Sequence, residues 1–197
     1  MKKTFAYILL RRILYLDENI ILNLIKSSSK RILDIGCGYG YTSYLIAKKF
    51  PNSQVIGVDT DNFRINQAKE YFRLNNLSFF VNDAKRLNFK NKFDVILAID
   101  LFHHIPSEFH VTILEKISNH LQKKGIFIMR DINKSSSFRF FNTVHDILIN
   151  RSFCVNYKNF SEWVEILRKF DLKVEDNFHL PKFIYPYLYI ISSKKRN

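Results

Sequence analysis

A chain of 197 residues, 47% of them apolar, has material for one large domain with a substantial core. Two cysteines, Cys37 and Cys154, without metal-ligand spacing and without a secretory signal ahead of them, argue against a disulfide scaffold or a zinc site and for a reducing cytoplasm. The 31 Lys and Arg against 18 Asp and Glu, a formal charge of +13, favour anionic partners, yet the accompanying wealth of Ile, Asn and Phe is what an AT-rich genome yields without functional selection.

Residues 1–26 read as an amphipathic helix. Its apolar run from Thr4 to Leu10 is cut by Arg11-Arg12 and falls far below the ~20 apolar residues of a membrane span. The helix is expected to cover a cleft; the alternative is a peripheral contact with the inner membrane face through Lys2, Lys3, Arg11 and Arg12. Past the polar break Ser27 to Lys30, runs rich in Ile, Val and Phe at Arg31 to Ile35, Gln54 to Val58, Leu77 to Val81, Phe93 to Ile99 and Gly125 to Met129 read as strands buried on both faces. Helix-length segments separate them: Tyr41 to Lys49, Asn62 to Leu74, and Ser107 to Gln122 after Pro106. The alternation predicts right-handed crossovers and an α/β, doubly wound, mostly parallel sheet. A helix at Ser161 to Phe170 follows, then extended runs at Leu172 to Asn177 and Tyr187 to Ser193. That last pair predicts a C-terminal antiparallel hairpin, which brings the sheet to seven strands. Nothing divides residues 1–197 into two domains.

In such a sheet a ligand sits outside the carboxyl ends of the strands, beside the first. There the sequence reads "LDIGCGYG", Leu33 to Gly40. Gly36, Gly38 and Gly40 give G-x-G-x-G, not the dinucleotide fingerprint G-x-G-x-x-G, and no Lys follows to make a phosphate-binding loop. Asp34, two positions ahead of the first glycine, would repel a pyrophosphate and attract an ammonium group. Asp59, closing "VIGVD", is placed to accept two ribose hydroxyls. The ligand is then a ribose-bearing molecule with a cationic or zwitterionic end.

Through these segments the sequence resembles the class I S-adenosylmethionine-dependent methyltransferases over roughly its first two-thirds. The resemblance implies a Rossmann-like methyltransferase fold with S-adenosyl-L-methionine as cofactor, and the cysteine spacing gives no reason to expect a metal. The resemblance implies further that Asp34 lies near the amino acid end of the cofactor, and that Gly36, Cys37, Gly38 and Gly40 let the backbone approach the adenosine. Asp59, followed by Thr60, would hold the ribose. "NDAKRL" would put Asp83 on the adenine amino group and Ala84 near the ring, and "FDVILAIDLFHHI" would put Asp100 near the methionine portion.

Methyl transfer from a sulfonium is an in-line displacement, and a base is needed only when the acceptor carries a proton. Candidates lie in "DLFHHIP" and "RDINK": His103 and His104 can accept a proton near neutral pH, and Asp131 can orient one or bind a polar acceptor. The alternative is that one histidine packs beneath the loop and the other caps the following helix. His145, in "FNTVHDIL", falls in residues 132–160, expected to form an insertion or lid on the acceptor side. The later segments resemble small bacterial methyltransferases associated with fatty acid-like or aryl polyene biosynthesis. This implies a small-molecule or acyl acceptor, the latter compatible with presentation by an acidic carrier protein to a basic enzyme. A nucleic-acid acceptor is the alternative, disfavoured because "DLFHH" replaces the Asn/Asp-Pro-Pro-aromatic motif; a non-catalytic cofactor-binding scaffold is another. Trp163 is expected to anchor the late helix on the sheet.

Overall fold

The computed structural model describes residues 18–134, 156–182 and 185–195. The chain enters through α1 (Glu18–Leu24) and alternates β1 (Arg31–Ile35), α2 (Tyr41–Lys49), β2 (Gln54–Asp59), α3 (Asn62–Tyr71), β3 (Leu77–Val81) and β4 (Phe93–Ile99). Then come α4 (His110–His120), β5 (Leu121–Ile132), α5 (Phe160–Arg168), β6 (Leu172–Lys182) and β7 (Tyr185–Lys194). These form one seven-stranded sheet in the order β3-β2-β1-β4-β5-β7-β6. The first five strands run parallel, while β7 is antiparallel to both β5 and β6. The hairpin therefore folds back so that its second strand lies against β5 and its first becomes the edge.

Side chains alternate across each strand, and both faces are apolar because both are covered. One face packs Leu33, Ile96, Phe127, Met129 and Leu188 against Ile113 and Ile117 of α4 and Trp163 and Leu167 of α5. The other packs Ile32, Val95, Leu97, Ile128 and Tyr189 against Ile21 of α1 and Ile46 of α2. Trp163 is 1% exposed, its ring edge-on to Phe102 and stacked on His110, which makes it the expected anchor.

Several element ends shift from the sequence reading by one to three residues, as α3 does in stopping at Tyr71 rather than Leu74, and two differ by more. The helix expected over Ser107 to Gln122 opens as a 3-10 turn, Ser107–Phe109, and stops at His120, so β5 begins four residues before Gly125. His120 ends it locally: its Nδ1 donates to the carbonyl of Lys116 at 2.7 Å and its Nε2 accepts Phe89 N at 3.0 Å. The second is β6, longer than the run Leu172 to Asn177, because pairing with β7 extends it past a bulge at Val174/Asp176. Of the segments expected at 1–26 and 132–160, residues 1–17 and 135–155 lie outside the described residues. Among the described residues, no helix is long and apolar enough to cross a membrane.

The order reverses between β1 and β4: β2 and β3 extend one way from β1, and β4 and β5 the other. The crevice outside the carboxyl ends of these two strands is where a doubly wound sheet binds its ligand.

Candidate functional site

On the β1 side the crevice is walled by backbone. The chain leaves Ile35 through Gly36, Gly38 and Gly40, with φ of 73°, 56° and 79°. Gly36 N and Cys37 N both donate to Val58 O, at 2.8 and 3.0 Å, which lashes the loop to β2. Asp59, the last residue of β2, accepts Gly38 N on Oδ2 and Asp61 N on Oδ1, both at 2.9 Å. Each carboxylate oxygen offers two lone pairs, so each retains one for a ligand hydroxyl. A Cβ built on Gly38 would meet nothing within 4 Å, whereas one on Gly36 would come within 2.7 Å of Leu101 Cδ1. Gly38 thus faces open space, and Gly36 is pressed against the exit of β4.

The other expected cofactor residues surround this loop. Asp34 is buried and accepts Ser43 Oγ at 2.6 Å, which ties β1 to α2. Cys37 is buried too; burial first, then Asp34 and Asp59, push its thiol well above the usual cysteine pKa, so it is an inert thiol. Thr60 is exposed just beyond Asp59. Asp83 caps the 3-10 turn Ala84–Arg86 by accepting Lys85 N at 2.9 Å, and Ala84 is buried in that turn.

On the β4 side the crevice is walled by side chains. Asp100 has φ of 54°, its N–H donating to Arg130 O at 2.9 Å. The Arg130 guanidinium grips the Asp100 carboxylate with two nitrogens, Nε to Oδ1 at 3.0 Å and Nη2 to Oδ2. Arg130 is fully buried, with the Tyr187 ring 4.4 Å from its guanidinium carbon and Nη1 donating to the Tyr189 hydroxyl at 3.4 Å. Burial alone would lower its pKa, but Asp100 and then the two tyrosines outweigh this and keep it charged.

The next residue along β5 acts on the opposite face. Asp131 accepts His103 N at 3.1 Å and Ile132 N at 2.8 Å, and His103 Nδ1 donates to its Oδ1. The carboxylate places the ring proton on Nδ1 and makes Nε2 the acceptor nitrogen. The His104 ring centroid is 4.0 Å from that of His103, with Tyr157 at 5.9 Å on the returning chain. His110 Nε2 donates to the carbonyls of Phe102 and Ile105, at 3.0 and 2.9 Å, and Asn156 N donates to His103 O at 2.9 Å. The turn from Asp100 to Ile105 is thereby held from β5, from α4 and from the end of the 132–160 segment.

The structure brings Asp34, Gly36, Cys37, Gly38, Gly40, Asp59 and Thr60 together at the ends of β1 and β2, with Asp100, His104 and Asp131 at the ends of β4 and β5. Asp131 is 2% exposed and turned to His103, which is itself only 3% exposed, so this pair packs beneath the loop and His104 is the more exposed of the two histidines. His145 lies outside the described residues. Arg130, Tyr187, Tyr189 and His110 are absent from the sequence-based candidates. One signal for Arg130 is in the sequence: a charge inside "IFIMRDI", a strand apolar on both faces. Among the described residues no cluster of three His, Cys, Asp or Glu could hold a metal ion.

A family model described as "Methyltransferase domain" matches residues 26–173. Ubiquinone biosynthesis O-methyltransferase of Pelagibacter ubique is 29% identical over 180 residues, 87% of this chain and 73% of that protein. A malonyl-[acyl-carrier protein] O-methyltransferase of Bacillus cereus is 31% identical over 103 residues, 52% of this chain and 38% of that protein. The chain spans less than two thirds of the length of several curated relatives it matches. Magnesium protoporphyrin IX methyltransferase from Synechocystis PCC 6803, solved with bound SAH, shares the fold with a TM-score of 0.73 at 14% identity, over 90% of this chain and 82% of that one.

Proposed function

The chain belongs to the class I S-adenosyl-L-methionine-dependent methyltransferases, and on that premise we propose that it methylates a small-molecule or acyl-type acceptor at the carboxyl ends of β4 and β5. S-adenosyl-L-methionine brings an already activated methyl group on a sulfonium, so the protein's work is alignment and exclusion of water. The observation that carries the reading is Gly38. Its positive φ, the open space where a Cβ would point, and the spare lone pairs of Asp59 beside it make a place where backbone meets a ribose-bearing ligand.

In this reading Asp59 accepts the ribose hydroxyls, with Thr60 beside it, and Asp83 and Ala84 border the adenine. Asp34 acts one layer back, supplying negative charge behind the loop while it holds Ser43. Asp100 faces the methionine portion. His104, packed on the His103 ring that Asp131 orients, takes up the proton of an acceptor that loses one, as a hydroxyl or amine does; a carboxylate acceptor is already ionised and needs no base. The likeness to malonyl-[acyl-carrier protein] O-methyltransferase supports an acyl acceptor on a carrier protein, whose acidic surface would complement the +13 charge.

Calorimetry tests the donor half: the unmodified protein binds S-adenosyl-L-methionine and S-adenosylhomocysteine one to one, and Asp59→Ala loses about 3 kcal/mol through its charge-assisted hydrogen bonds. No binding to the unmodified protein overturns the site. A panel of malonyl-carrier protein, free fatty acids, phenols and amines, assayed with methyl-labelled donor, tests the acceptor half; label on none of them while the donor binds overturns it.

A further inference from the structure

Arg130 does nothing in the function so far described, yet it is among the largest fully buried side chains. Burying a guanidinium costs several kcal/mol even after relaxation, so its neighbours have to offset that, and here they converge on one residue. Tyr189 pairs with Arg130 across the β5–β7 ladder, and Tyr187 lies one pleat along on the same face. The two rings clamp the planar group while its fork closes on Asp100. Asp100 precedes Leu101, whose Cδ1 occupies the space a Cβ on Gly36 would need. A line of contact therefore runs from the C-terminal hairpin through Arg130 and Asp100 to the glycine loop.

The pair also has an electrostatic consequence. S-adenosyl-L-methionine carries a sulfonium and an amino acid zwitterion, net +1; once the methyl group has left, the thioether product is a net-neutral zwitterion. A lone carboxylate at the end of β4 would favour the cationic donor over the product. It would also favour the bound donor over the transition state, in which the sulfonium charge is already dispersing, and stabilising the ground state more than the transition state slows the chemical step.

We propose that Arg130 is a positioning and charge-compensating residue: it holds Asp100 in its left-handed conformation against the glycine loop and cancels its charge, and so sets the preference of the site for methylated donor over demethylated product. This rests on the reading that Asp100 faces the methionine end of the cofactor.

The two halves of the pair have opposite signs, which makes the test sharp. Titration calorimetry with S-adenosyl-L-methionine and with S-adenosylhomocysteine gives the ratio of the product's Kd to the donor's Kd. Arg130→Gln removes the guanidinium charge from beside Asp100, and the ratio rises about tenfold, the scale of one unit charge acting across several ångströms of protein. Asp100→Asn removes the carboxylate charge and keeps the guanidinium, and the ratio falls by a similar factor. The double variant Arg130→Gln/Asp100→Asn returns it to that of the unmodified protein. A packing role alone weakens both ligands alike and keeps the ratio constant in all three variants, which overturns the proposal. Should Arg130→Gln fail to fold, Asp100→Asn decides alone: a ratio that stays level or rises overturns compensation. If the unmodified protein binds neither ligand, the donor site falls and this proposal with it; binding with constant ratios removes this proposal and leaves the donor site standing.

Discussion

The two walls of the crevice are built by different means. Between β1 and β3 the wall is a loop of backbone: Gly36 N and Cys37 N on Val58 O, Gly38 N on Asp59, and a bare Cα at Gly38 facing open space. Between β4 and β7 it is a lattice of side chains, with Arg130 on Asp100, Asp131 on His103, and His110 on the carbonyls of Phe102 and Ile105. The first wall uses partners within about one strand–helix–strand unit. The second joins residues that the chain separates by whole elements. A backbone wall can be uniform across many proteins because it relies on few side chains, and a side-chain wall can be re-cut for each acceptor.

If this contrast holds, mutations in the packing behind the second wall cost stability, those of the Arg130–Asp100 pair change which cofactor form is preferred, and those in the first wall cost cofactor binding outright. The largest effect is expected from Trp163→Ala, which removes the ring packed on both Phe102 and His110 and loses about 3–5 kcal/mol in urea denaturation. The folded fraction should still bind S-adenosyl-L-methionine; lost binding at full folding would break the contrast. Gly38→Ala comes next, costing about 1–2 kcal/mol for a side chain at a φ of 56°. Its cofactor affinity, read by calorimetry, should fall by more than that strain explains, since the methyl enters the open space. Asn159→Ala removes the capping box at the start of α5, where Asn159 Oδ1 accepts Glu162 N at 2.9 Å, and costs about 1 kcal/mol in thermal unfolding with binding intact.

The smallest effect is in pH. Burial lowers the pKa of His110 from its ordinary 6.5, and its Nδ1 is buried without a partner, so a proton there would have no acceptor. The folded pKa lies below the unfolded one; its contribution is complete above about 6.5 and declines as pH falls toward the folded value, because the unfolded chain protonates first. The urea midpoint should drop between pH 7.5 and 5.5, and His110→Gln should reduce that drop. An unchanged drop would mean that His110 is not the group responsible.

The backbone wall was legible from residue order because each part is local. Three glycines at alternate positions, an acid two residues ahead and another closing the next strand require no knowledge of distant packing, and the strands Arg31–Ile35, Leu77–Val81 and Phe93–Ile99 have the bounds their apolar runs predict. Element ends were less legible where a side chain overrides propensity, as His120 does in closing α4. The side-chain wall was legible only in part. His104 and Asp131 stand out by type, but residue order does not say that Asp131 faces His103, that Arg130 meets Asp100, or that two tyrosines nearly sixty residues further on hold the guanidinium.

By itself, then, the sequence determined the α/β class and the position of the glycine loop and pointed to a ribose-bearing ligand, because strand period, turn chemistry and the spacing of one loop are properties of neighbouring residues; the identity of the methyl donor came from the family resemblance those motifs carry. The tertiary structure alone decided which charged groups pair beneath the β4 exit. Those pairs depend on the parallel placement of β4 beside β5 and the antiparallel return of β7, and strand order across a sheet is not written in the local pattern of any strand.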